Sequence, residues 1–369
     1  MASRYLVATG NWNSTSVWSA TSGGSSGASV PTAGDTVYIN ANYTVTLTAD
    51  AVCDVVIHTN GTLSLGSYTL DIAKFSSTGA TARTVNLGSG VVHIKFIDFV
   101  GNDFTLSGSN LTWNSGTSLL KLDYDTPSSG GGTYGYTLDT NSQTFNDVQL
   151  RLGGVNGSKI TLNITGSPTF HLLDIRSANS AAHTVKFDSS ANITVDKFIA
   201  IGSSSTNKLT LMQTSAPGYA SITANATTTS TMYGQFVAVG SFMDAIGWSN
   251  PYIGSNSTTV AGDPYASHWL LQDPPKISTL VDPLTTAPGS NSNWTVSGTV
   301  TAVTSGRDGG GYQLASGASL TSTDTYDLLS STLNFQTLAS TSLKFNTWDY
   351  SHDLAANKFY RLSLTGTTY

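Results

Sequence analysis

A short polar–apolar–polar–apolar motif returns along the first two-thirds of the chain, and this recurrence limits the fold more than any other feature. The motifs are Thr44-Val45-Thr46-Leu47, Thr62-Leu63-Ser64-Leu65, Thr84-Val85-Asn86-Leu87, Asn110-Leu111-Thr112-Trp113, Gly135-Tyr136-Thr137-Leu138, Lys159-Ile160-Thr161-Leu162, Thr184-Val185-Lys186-Phe187 and Lys208-Leu209-Thr210-Leu211. Their first apolar residues stand at 45, 63, 85, 111, 136, 160, 185 and 209, so the last five intervals all fall between 24 and 26 residues. A second alternating stretch follows in most repeats, as in Val92-His93-Ile94, Leu120-Lys121-Leu122, Phe145-Asn146-Asp147-Val148, Phe170-His171-Leu172 and Ile193-Thr194-Val195. A third follows in some: Leu150-Arg151-Leu152, Leu173-Asp174-Ile175 and Phe198-Ile199-Ala200-Ile201. Three short strands with tight corners close one turn of a right-handed parallel β-helix of about 24 residues, with neighbouring turns about 4.8 Å apart.

Alternation sets the direction of each side chain. Val45, Leu63, Val85, Leu111, Tyr136, Ile160, Val185 and Leu209 are expected in one inward column, and Leu47, Leu65, Leu87, Trp113, Leu138, Leu162, Phe187 and Leu211 in the next. Thr46, Ser64, Asn86, Thr112, Thr137, Thr161, Lys186 and Thr210 then face solvent. Gly66-Ser67, Gly88-Ser89-Gly90, Ser115-Gly116, Gly153-Gly154 and Gly202-Ser203 supply corners where positive φ is tolerated.

The composition agrees with this class. Only 10% of the 369 residues are charged, all 22 acidic residues are Asp, and Ser, Thr, Gly and Asn take the surface role that charges usually fill. A chain without Glu and rich in Thr and Gly is strand-and-turn material, so the class is all-β. The open ends of a stack must be covered, because unpaired strand edges invite aggregation. Residues 1–35, with Trp12 and Trp18, read as an N-terminal cap, residues 36–243 as the β-helix, and residues 244–283 as an aromatic, Pro-rich cap and hinge. Residues 284–369 read as an antiparallel β-sandwich or jelly-roll-like domain, with strands at Trp294–Val296, Val300–Val303, Gly311–Leu314, Leu333–Phe335 and Leu343–Phe345. That segment is short for such a domain, which leaves a small variant or a natural chain that continues past Tyr369.

Several function classes are disfavoured. A formal net charge of −6 gives no basic footprint for nucleic acid. Cys53 is the only cysteine, which excludes internal disulfides and thiolate-rich metal sites, and its neighbours suit a small buried apolar side chain. No apolar run approaches the roughly 20 residues of a membrane-crossing helix, and no secretory signal opens the chain.

Two stretches resemble known families. Gly10-Asn11-Trp12, Val17-Trp18-Ser19, Ser22-Gly23-Gly24 and Val30-Pro31-Thr32-Ala33-Gly34-Asp35-Thr36-Val37 resemble the start of solenoid proteins encoded by tailed phages and found on some bacterial surfaces. Gly311–Leu314, Ala318–Ser322 and Tyr326–Leu328 are similar to the concanavalin/laminin-G-type sandwiches of phage minor structural and tail proteins. Together they touch about a third of the chain. The resemblance implies a virion structural protein carrying a glycan-contacting module, assembled in the host cytoplasm and exposed on the particle exterior. Its partners would be other virion proteins, further copies of itself (as a trimer) and host surface polysaccharide.

Glycoside hydrolysis needs two carboxylates at a set separation, and without Glu only Asp pairs remain. Asp123 and Asp125 share a strand face, or else form a solvated coil edge. Asp98 and Asp103 flank a turn, while Asp139, Asp147, Asp174, Asp188 and Asp196 fall singly in different coils. His93, His171 and His183 would have to meet to hold a metal or act as a base, and single exposed histidines are the alternative. Asp308, Asp324, Asp327 and Asp349 have no spacing that commits them to calcium. No catalytic residue, metal site or cofactor is therefore assigned. Trp248, Tyr252, Tyr265 and Trp269 lie in the non-periodic segment, where they either stack on sugars or a partner subunit or plug the end of the stack. The leading expectation is a non-enzymatic virion protein: a tail fibre or spike, a baseplate component or a capsid-decorating fibre. A tailspike-type polysaccharide depolymerase and a bacterial surface adhesin are the alternatives.

Overall fold

A computed structural model of the protein describes residues 2–96, 101–124, 132–153, 157–215, 218–226, 230–254 and 256–272, together with strands between 295 and 366. Two compact units divide the chain, Met1–Pro274 and Pro275–Tyr369. The chain is all-β, and the first unit is built from three long sheets of parallel strands.

The strands are short, and each early round of chain adds one to every sheet. Thr36–Ile39 lies in the first sheet, Thr44–Thr46 in the second and Ala51–Val52 in the third. The chain then returns to the first sheet with Val55–His58, parallel to Thr36–Ile39. The same order repeats with Gly61–Ser64 and Thr69–Ile72, with Lys74–Ser77, Arg83–Asn86 and Val91–Phe96, and with Gly101–Leu106, Leu111–Asn114 and Leu119–Tyr124. After Leu111–Asn114 the second sheet stops. Thr133–Asp139, Lys159–Thr165, Thr184–Phe187 and Leu209–Gln213 extend the first sheet, and Thr144–Leu152, Thr169–Ser177 and Asn192–Ile201 extend the third. These later strands of the third sheet run nine or ten residues. The second and third stretches read separately in the sequence are here single strands.

Between the sheets the apolar residues stack in register. Val92, Leu120, Val148, Leu173 and Phe198 follow one another on adjacent strands, beside a second column of Ile72, Ile94, Leu122, Leu150, Ile175 and Ala200. All of these are buried. Each large side chain so placed contributes about 1.5–3 kcal/mol, which is why the stack needs few charges to hold it.

The single expected column from Val45 to Leu209 is in fact two. Val45, Leu63 and Val85 do align, in the second sheet, but the next member is Trp113; Leu111 stands over Arg83. Tyr136, Ile160, Val185 and Leu209 belong to the first sheet, where Tyr136 is followed by Leu162, Val185 and Leu211. A slip of two residues leaves every side chain on its original face, so alternation cannot detect it. In the first sheet the true column is Val37, Val56, Phe75, Phe104, Leu138, Ile164, Phe187 and Gln213, with steps of 19, 19, 29, 34, 26, 23 and 26 residues. The even spacing in the sequence hides both the passage of the series from the second sheet to the first after Trp113 and the two-residue slips within the first sheet.

At the N-terminus, Ser3–Leu6 joins the first sheet and Gly10–Asn11 the second, so residues read as a cap contribute strands to the stack. Trp18–Ser19 then runs antiparallel along Ser3–Leu6 and closes that edge. Trp12 and Trp18 are buried edge to face at 5.1 Å, and the Trp18 indole N–H donates to the Trp12 carbonyl (2.7 Å). Parallel pairing also passes the boundary expected at residue 243. Met243–Ile246 pairs with Ala220–Ala224, and Thr258–Thr259 pairs with Val237–Val239. These final strands are only two to four residues long and carry little alternation, which hides them in the sequence.

Within the second unit the strands are antiparallel. Thr295–Ser297, Ser319–Thr321, Tyr360–Gly366 and Thr341–Thr347 form one sheet in that order, and Val300–Gly306 pairs with Gly309–Leu314. The strand expected at Leu333–Phe335 lies outside the described residues, as do Trp294 and Trp348.

One corner shows how closely the rounds approach. Gly66, Gly88 and Gly116 stack between the second and third sheets, all with positive φ (65°, 61° and 57°). A Cβ on Gly88 would lie 2.4 Å from the Gly66 carbonyl oxygen, which accepts the Ser89 N–H of the next round. Gly88→Ala is expected to destabilise the protein by about 2 kcal/mol or more, from left-handed backbone strain and this clash together. Urea denaturation checks it; a variant as stable as the parent would contradict the stacked corner.

Candidate functional site

The four aromatic residues singled out in the sequence separate into inward and outward groups. Trp269 is buried (3% exposed), and its indole N–H donates to the Met243 carbonyl at 2.9 Å. Trp248 is half-buried against the core, with its N–H on the Ile222 carbonyl (2.7 Å). Both indoles are part of the plug. Tyr252, in the strand Pro251–Tyr252, is half-buried and its hydroxyl meets Asn250. Tyr265 is half-buried and turned outward, and it packs on Tyr219, a residue that sequence reasoning passed over (ring centroids 5.2 Å, 33° apart).

Tyr219 (45% exposed) and Phe242 (41%) are exposed together, because the ladder pairs the residues that follow them, Ala220 and Met243. Phe242 sits at φ 60°, and its N–H donates to Asp263 Oδ2 at 2.8 Å. The Tyr265 N–H donates to Asp263 Oδ1 at 2.9 Å. His268 lies edge-on to Tyr265 at 6.0 Å, and its Nδ1 meets the buried Asp244 carboxylate. With Nδ1 held by that carboxylate, Nε2 is left without a partner among the described residues. Tyr219, Phe242 and His268 were inconspicuous in the sequence because they come from three separate rounds of chain.

The outward face of the third sheet carries a charge ladder. His93 lies between Asp71 (Nδ1 to Oδ1, 3.4 Å) and Asp123 (Nε2 to Oδ2, 2.8 Å), while Lys95 pairs with Asp71 and Lys121 with Asp123. Burial alone would raise the Asp123 carboxyl, but the hydrogen bonds and charges of His93 and Lys121 outweigh it and hold the group below the usual carboxylate range. Asp123 is therefore an ionised anchor and has no proton to donate at neutral pH. Asp125 and Asp98 lie outside the described residues. Other described carboxylates have partners of their own. Asp147 meets His171, Asp174 meets Arg151 and Arg176, Asp139 accepts from Thr165, and Asp188 accepts the Gly166 N–H. Among the described residues no three His, Cys or Asp side chains are grouped to hold a metal ion. Asp308, Asp324, Asp327 and Asp349 fall outside those residues.

The histidines are not all exposed, as the sequence had suggested. His171 is exposed, but His183 is fully buried: its Nδ1 accepts the Ile160 N–H (3.0 Å) and its Nε2 meets Asn179 Oδ1 (2.8 Å). His58 is buried at the turn from the first sheet into the second, where Nδ1 meets Ser77 Oγ (3.2 Å) and Nε2 the Gly61 carbonyl (3.2 Å). Arg83 completes that corner. Its buried guanidinium donates to the Ser77 hydroxyl and to the carbonyls of Ser77, Gly79, Ser107 and Ser109, tying two rounds together. Burial pushes Arg83 below its ordinary value and Cys53, also buried, well above its own. Burial of Cys53 agrees with its reading in the sequence, whereas Arg83, His58 and His183 are structural placements of polar groups. Their signal in the sequence was faint, since one Arg or His in a polar strand looks like a surface residue.

Against this geometry, comparison with known proteins adds no relative: no family model matches the sequence, and neither a curated protein nor a solved structure does.

Burial holds the His58 and His183 imidazoles down at about 4 each. In the unfolded chain they titrate near 6.5, so their neutral forms favour folding fully above that pH, and the benefit is lost as pH falls toward 4. Between pH 7 and pH 5 each histidine is expected to lower stability by about 2 kcal/mol. In urea denaturation the drop should shrink by roughly that amount in His183→Gln. An undiminished drop would remove His183 as its source.

Proposed function

We propose that the succession of parallel rounds is a right-handed parallel β-helix that serves as a rigid, non-catalytic rod in the virion of a tailed phage. The antiparallel C-terminal unit is, in this reading, a β-sandwich or jelly-roll-like module. Handedness follows from a general rule, because connections between parallel strands of one sheet are right-handed in about 98% of cases. The observation that carries the functional reading is the continuous stack itself. Apolar columns run through three parallel sheets, with short corners between strands, and such a body resists bending and offers length.

Two further features support a structural role. Asp174, Asp139 and Asp188 are engaged by arginines, a hydroxyl and a backbone N–H respectively, and the ionised Asp123 suits an anchor better than an acid catalyst. The opening motifs from Gly10 to Val37 and the stretch Gly311–Leu328 resemble solenoid and sandwich proteins of phage particles. The protein would act as a tail fibre or spike, a baseplate component or a capsid-decorating fibre, in contact with other virion proteins, with further copies of itself as a trimer and with host surface polysaccharide.

Mass spectrometry of purified particles tests this directly. The protein is expected among their structural components, at a copy number in the range of other fibre or baseplate proteins. Recovery from the bacterial envelope and absence from particles would favour an adhesin. Release of oligosaccharides on incubation with host capsule would identify a depolymerase and overturn the non-catalytic reading.

A further inference from the structure

We propose that Tyr219, Phe242, Tyr265 and His268 form a binding site for uncharged pyranose sugars at the C-terminal end of the stack. The proposal rests on the reading that the protein meets host surface polysaccharide, and it places that contact on residues other than the tryptophans. Trp269 and Trp248 face inward, with their indole N–H groups on backbone carbonyls. The outward residues are different ones.

A pyranose has one face of C–H bonds and a rim of hydroxyls. The C–H face packs on the electron-rich face of an aromatic ring, and planar polar side chains exchange hydrogen bonds with the rim. Both halves of that requirement are present. The Tyr219 and Tyr265 rings, 5.2 Å apart and tilted by 33°, make a stepped platform, and Phe242 extends the apolar area beside Tyr219. Around it stand His268, fixed by the buried Asp244, and Asp263, fixed by the Phe242 and Tyr265 N–H groups. Neither His268 Nε2 nor the tyrosine hydroxyls have a partner among the described residues. A polar rim held in place before any ligand arrives loses little conformational freedom on binding.

Charge decides the sugar class. The site contains two carboxylates, Asp244 and Asp263, and among the described residues no Lys or Arg is bonded to either. An anionic sugar such as a uronate or sialate would meet repulsion from Asp263, which has no Lys or Arg partner among the described residues, whereas a neutral hexose or N-acetylhexosamine would not.

The test is calorimetric titration of the full chain with neutral hexasaccharides of glucose, galactose and N-acetylglucosamine, and with a hyaluronan hexasaccharide as the acidic probe. At least one neutral probe is expected to bind, and hyaluronan is not. Tyr219→Ala should weaken binding roughly tenfold, the loss of one stacked ring and its area. His268→Gln, an exposed substitution, should weaken it by a similar factor, and Tyr43→Ala, an exposed tyrosine elsewhere, should leave it unchanged. Cooperative thermal unfolding of each variant shows that the fold is retained, and if one variant fails to fold the other carries the test. Binding by no neutral probe, a preference for hyaluronan, or unchanged affinity in the folded variants would each overturn the proposal. Those outcomes leave the virion assignment untouched, since particle composition decides it separately.

Discussion

Each round of chain in the first unit must set its apolar residues directly over those of the round before, because hydrogen bonds between rounds and the interior columns share one register. A shift of one residue would turn every inward side chain outward. The columns headed by Val92 and Ile72 keep this register through five or more strands. Everything else in the unit accommodates it. Strands in the third sheet can lengthen from two residues to ten, and the second sheet can end, provided the columns continue.

Corners carry the cost of that accommodation. Backbone carbonyls at a bend cannot all find strand partners, and burying them unpaired would be expensive. Arg83 answers this at one corner by donating to carbonyls from two successive rounds, with His58 and Ser77 bonded beside it. His183 and Asn179 form a comparable arrangement further along. Where no side chain can reach, Gly66, Gly88 and Gly116 let the backbones themselves approach. Polar residues in this protein are thus often structural when buried, and its surface chemistry must be sought where aromatic and charged groups are fixed outward. The ladder around His93 and the Tyr219–Tyr265 pair meet that description. The first balances its charges internally, whereas the second leaves polar atoms facing solvent.

The amino-acid sequence alone determined the all-β class, the parallel stacking and the face on which each strand residue lies, because alternation and recurrence are local properties of the chain. Val45, Leu63 and Val85 were even placed correctly over one another. It also pointed to an aromatic end after residue 240. Tertiary structure decided the rest. Register slips of two residues preserve alternation, so the pairing of Val85 with Trp113 and of Tyr136 with Leu162 depends on loop lengths that carry no periodic signal. The passage of the motif series from the second sheet to the first was hidden for the same reason. The candidate site was legible only at Tyr265. Tyr219, Phe242 and His268 come from different rounds, and only the stacking of those rounds brings them to one surface while turning Trp248 and Trp269 inward.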